Sequence, residues 1–136
     1  MTNSVTTQIL EEGPRNVIVK IAGVLDTSDY SLNTAIDIST LNQGGIGPTP
    51  TQLRIDHIDY SISDQIEVQL WWDATTDVII LPIAGRGRMT FWNFGGLTNN
   101  AGAGKTGNIN IKTTGYSSGT QVFSVILEMV KQGTDL

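Results

Sequence analysis

The sequence has no cysteine, one histidine and only four prolines in 136 residues, and the scarcities close off several kinds of chemistry. Without cysteine there are no disulfides, thiolate zinc sites or cysteine nucleophiles. A single histidine, His57, removes most histidine-based metal sites, so no metal or cofactor is expected. Charge is thin as well, at 15% of residues against a usual roughly 25%. With 8 Lys+Arg against 13 Asp+Glu the net charge is −5, the wrong sign for gripping nucleic acid or an anionic membrane. Neither is expected as a partner. No apolar run approaches the roughly 18 residues of a membrane-spanning helix. The opening MTNSVTTQ has neither the basic start nor the apolar stretch of a secretory signal.

What the chain does have is glycine, asparagine, serine and threonine spread evenly, with isoleucine and valine as the favoured apolar residues. β-Branched side chains lose rotamer freedom in helices and pack well on a pleated surface, so this bias predicts strands. Alternation agrees. Val17, Val19 and Ile21 share one face of a strand over 15–25. Leu53 and Ile55 begin another, whose apolar phase slips to Ile58, Tyr60 and Ile62, which predicts a bulge near His57. Ile66, Val68, Leu70 and Trp72 alternate with Glu67, Gln69 and Trp71. Val78 to Ala84 is a continuous apolar run, expected to be covered on both faces. Met89 to Phe94 reads as a short aromatic strand, and Ile109, Ile111 and Thr113 as one face of another. The segment Val122 to Val130 fits both a helical stripe and an alternating strand; its β-branched content and glycine-rich lead-in favour the strand.

Turn chemistry divides these runs. Asp73–Asp77 reads as a hairpin loop, Gly85-Arg-Gly87 as a break, and 40–52 as a loop, since two prolines and three glycines do not fit a ladder. Residues 1–13 are polar and threonine-rich and read as an arm, with one domain over 14–136. Seven to nine strands without a long helix predict a single-domain antiparallel β-sandwich, jelly-roll-like.

Motifs that would carry catalysis fail on context. Gly104-Lys-Thr106 ends like a phosphate-binding loop, but Asn99 stands where the first glycine is needed and a strand, not a helix, follows. His57 sits in Asp56-His-Ile-Asp59, and a histidine flanked by carboxylates could serve as a general base. Yet Asp56 and His57 point to opposite faces of a strand and no Gly-x-Ser-x-Gly elbow is present, so it reads as a bulge or strand-surface histidine. Asp73 and Asp77 lack the dense spacing of a calcium loop and read as local caps. No enzyme is expected. Trp71 shares the phase of Glu67 and Gln69 and should leave the core face, which marks a contact with another chain, a sugar-stacking platform, or a ring buried under a loop. Trp92, Arg86, Arg88, Asn99 and Asn100 complete the candidate contact residues.

The phrases Trp72-Asp-Ala-Thr-Thr76, Gly85-Arg-Gly87, Phe94-Gly-Gly-Leu-Thr-Asn-Asn-Ala-Gly-Ala-Gly104, Thr106-Gly107 and Phe123 to Gln132 resemble small virion proteins of tailed bacteriophages. The likeness runs over about residues 10–132, nearly the whole chain. It implies a capsid decoration, or cement, protein: a β-sandwich bound outside the shell of the major capsid protein, made in the host cytoplasm and carried on the virion. The expected partners are the major capsid protein and the chain itself, as a homodimer or homotrimer. Such proteins carry no catalytic residues to transfer. The alternative is a carbohydrate- or receptor-binding module of a tail or fibre, which would stack sugar on Trp71 or Trp92.

Overall fold

In the computed structural model, which describes residues 3–13, 15–41 and 50–132, strand follows strand. These are β1 (Ser4–Glu12), β2 (Asn16–Leu25), β3 (Asn33–Ile36), β4 (Gln52–Ile62), β5 (Glu67–Trp72), β6 (Val78–Ile83), β7 (Arg86–Thr90), β8 (Ile109–Thr114) and β9 (Gln121–Gln132). Two 3₁₀ turns, Ile38–Thr40 and Trp92–Phe94, are the helical pieces among the described residues.

The strands form two sheets, ordered β1-β2-β9-β4-β7 and β3-β8-β5-β6. The antiparallel pairs β5·β6, β4·β7, β3·β8 and β2·β9 are nested, as if one long hairpin had been folded over into two layers. That nesting is the connectivity of a jelly roll. The all-β sandwich read from alternation is therefore the fold.

Period-2 patterning decides which side chains enter the core. Val17, Val19 and Ile21 from β2 meet Phe123, Val125, Leu127 and Met129 from β9, and Val68, Leu70 and Trp72 close the layer from the other sheet. The ambiguous C-terminal segment is a strand along its whole length, paired with β2 from Leu25↔Gln121 to Asn16↔Val130. In β4 the register shifts between Ile55 and His57. Asp56 is the extra residue there, and the bulge lets Leu53, Ile55, Ile58 and Ile62 all reach the interior.

Several expectations need correcting. The apolar run at Val78 is not covered on both faces: β6 is the edge of its sheet, and Ile79 is 40% exposed. A continuous apolar run records hydrophobicity but not sheet position. Gly85-Arg-Gly87 is not a break throughout, since β7 begins at Arg86, and Gly87 lies opposite Tyr60, whose hydroxyl would sit 3.1 Å from a Cβ there. Met89 to Phe94 is accordingly no aromatic strand. Its first two residues close β7 and its aromatic end winds into a 3₁₀ turn.

Ser4–Glu12, within the segment read as an arm, pairs along β2 as the edge strand β1. Its inner end is tied down by an ion pair between Lys131 Nζ and Glu12 Oε2 at 2.7 Å. Of the loop expected over 40–52, residues 42–49 lie outside the described residues.

Candidate functional site

The bulge at Asp56 frees backbone groups from the ladder, and the segment after β7 takes them. Phe91 N–H donates to the Asp56 carbonyl at 2.8 Å, while Ile55 and Leu97 exchange a pair of backbone hydrogen bonds at 3.0 and 2.8 Å. The Trp92–Phe94 turn is thus fastened at both ends to one place on β4. Gly95 and Gly96, both with positive φ, turn the chain back toward β4. Gly96 also approaches so closely that a Cβ would meet Asp56 Oδ1 and the Arg54 stem. No other residue fits there without displacing that pair.

Asp56 and Arg54 form a two-point ion pair beneath the turn, Nε to Oδ1 at 2.8 Å and Nη2 to Oδ2 at 3.1 Å. Hydrogen bonding to Asp56 raises the Arg54 pKa above its ordinary value, against a smaller opposing effect of burial. The guanidinium stays charged at any working pH.

Held in this way, the turn presents aromatic rings outward. Phe94 is 66% and Trp92 57% exposed, the most open large apolar side chains among the described residues. Phe91 meets Phe94 edge-on at 6.1 Å. The inner face of Trp92 stacks on His57, with ring centroids 5.4 Å apart. Exposed aromatic surface on a fixed backbone is the kind of anchor that protein partners bury.

His57 is 4% exposed, so it is no surface histidine: Trp92 roofs it. Asp56 does turn away from it, to Arg54, but Asp59, two residues on, shares its face. Glu128 joins them because β9 pairs His57 with Glu128.

The expected contact residues divide into separate places. Arg86 and Arg88 are exposed on edge strand β7, and Arg88 Nε donates to Asp59 Oδ1 at 3.0 Å, which places Arg88 close to His57 and the turn that covers it, while Arg86 lies at the other end of β7 opposite Ser61. Asn99 is held inward, its Nδ2 donating to Gln52 Oε1 at 2.6 Å and its Oδ1 accepting from Ala101 N–H. Asn100 lines a groove with Trp72, Ile80 and Leu97. Trp71 lies elsewhere. It sits half-buried on the outer face of the four-stranded sheet, its Nε1–H donating to Gln69 Oε1 at 3.2 Å. Trp92 covers the outer face of the five-stranded sheet, so the two tryptophans serve different surfaces.

The chain matches no protein-family model and no curated protein sequence.

The remaining polar motifs are tied into the loops. Thr106 Oγ1 donates to Asp73 Oδ2 at 2.7 Å, Asp77 Oδ1 accepts from Ala74 N–H at 3.0 Å, and β8 follows the Gly104-Lys-Thr106 segment. Phe94 is the site residue that the sequence analysis passed over. Its signal was the pair of glycines at 95 and 96, which ends a strand reading and forces a turn.

Proposed function

We propose that the protein is a structural component of a bacteriophage virion, a decoration protein that binds the outside of the major capsid protein shell and stabilises it. The observation that carries this reading is the Trp92–Phe94 turn, with two large rings exposed on a backbone fixed to β4. Such rings lose little conformational freedom on docking, because their backbone is already held. Arg88, on β7 and bound to Asp59, supplies a polar rim nearby, its side chain 72% exposed. A net charge of −5 suits a position outside a shell that separates the protein from packaged DNA. Clamping neighbouring capsid subunits would rely on several such contacts held on one oligomer, each weak alone.

The test is cosedimentation with assembled shells of the major capsid protein. Trp92→Ala with Phe94→Ala should keep the far-ultraviolet spectrum of the sandwich and lose most shell binding, since truncated interface aromatics often cost about 2 kcal/mol or more each. Shell binding equal to that of the unaltered protein would overturn the assignment. Quenching of tryptophan emission by simple sugars, lost in Trp92→Ala, would move the turn to the carbohydrate-binding reading instead.

A further inference from the structure

We infer that His57, Asp59 and Glu128 form a site for a divalent transition metal of the zinc class, roofed by Trp92. The ligand atoms already converge. His57 Nε2 lies 3.1 Å from Asp59 Oδ2 and 3.9 Å from Glu128 Oε2, and all three atoms are within 4.8 Å of one another. A tetrahedral ion with bonds of about 2.0–2.1 Å separates its ligands by about 3.3 Å, a value that those two distances bracket. Glu128 has the wider gap to close and the freer side chain, 44% exposed on β9.

The surroundings have the features that outer groups give a metal site. His57 Nδ1 is 3.2 Å from Thr90 Oγ1, a partner that can accept its proton and leave the Nε2 lone pair for the ion. Arg88 holds the other oxygen of Asp59 at 3.0 Å, so Oδ2 is the one turned to the histidine. Two carboxylates balance the ion's charge, and the fourth position is left for water. Imidazole with two carboxylates suits zinc better than calcium, which takes 6–8 oxygen ligands. A single histidine therefore does not exclude a metal site once the β4·β9 register brings Glu128 to its side.

Bound there, the ion would cross-link β4 to β9 and fix the imidazole on which Trp92 stacks. The inference rests on this geometry and not on the proposed role in a virion.

The experiment is a calorimetric titration of the tag-free full-length protein with zinc chloride, paired with nuclear magnetic resonance in the presence of cobalt(II). Zinc should bind one ion per chain and raise the melting temperature, with calcium chloride giving neither effect. Cobalt should broaden the indole N–H signal of Trp92 and spare that of Trp71, on the other sheet's outer face. Glu128→Gln, half-exposed and harmless to the core, should weaken zinc by about tenfold or more, and His57→Asn should abolish binding. Zinc binding absent up to about 1 mM, unchanged in Glu128→Gln, or cobalt broadening that ignores Trp92 would each overturn the site.

Discussion

Removing the carboxylate of Glu12 should destabilise the protein far more than a surface ion pair would. Lys131 Nζ lies 2.7 Å from Glu12 Oε2, and the lysine side chain is only 1% exposed, with the glutamate at 13%. In Glu12→Ala the ammonium stays in place with its charge uncompensated, which for a buried pair costs about 3–5 kcal/mol. That is a large part of the roughly 5–15 kcal/mol holding a domain of this kind together. At about 3 °C per kcal/mol for a chain of this size, the melting temperature should fall by about 10–15 °C. Glu12→Gln should lie between, since its amide oxygen still accepts from the ammonium. Glu12→Leu with Lys131→Met should be less destabilising than Glu12→Ala, because it leaves no uncompensated ammonium in the interior. Urea unfolding followed by circular dichroism measures all four proteins. A loss under about 1 kcal/mol in Glu12→Ala would refute the reasoning. It would mean that the end of β1 peels away cheaply and lets the lysine reach water.

Other consequences are smaller or more local. Gly23 faces Phe123 so closely that a Cβ would run into the ring, so Gly23→Ala should cost about 1–3 kcal/mol by urea unfolding, and an unchanged midpoint would contradict the packing. Asp37 accepts hydrogen bonds from Ser39 Oγ and Ser39 N–H, which hold its pKa below 3.8. Its contribution is therefore present above pH 3.8 and lost as the pH falls through the lower folded value, so the stability gap between the unaltered protein and Asp37→Ala should close on acidification; a gap that widens would reverse the sign. Trp71→Ser should keep the fold, with stability by urea unfolding within about 1 kcal/mol of the unaltered protein, because the ring leaves the core face and makes its N–H bond to Gln69; failure to fold would put Trp71 in the core.

The core was legible in the sequence because burial in a sandwich has period 2. Val17, Val19 and Ile21 needed no partner strand to reveal their face, and the phase slip between Ile55 and Ile58 located the bulge to within a residue. Strand β1 was not legible as a strand. Six of its nine residues in a row, Thr6 to Glu11, are exposed, so no alternation marks it, and its pairing depends on β2. The candidate site was half visible. Trp92 and the arginines stand out by type, but the surroundings of His57 depend on two registers, β4 with β7 and β4 with β9, that bring Thr90 and Glu128 to either side of it. Strand alternation already set Asp56, adjacent in sequence, on a different face from the histidine. The bulge gave Asp56 to Arg54 and left His57 to Asp59, two residues on, and to Glu128, far along the chain.

An image of the intact virion at side-chain resolution tests the central claim most directly. The account predicts jelly-roll density on the outer surface of the shell, with Trp92 and Phe94 buried against the major capsid protein. Density for this chain in the tail, on the inner surface of the shell, or with the aromatic turn facing solvent would contradict it.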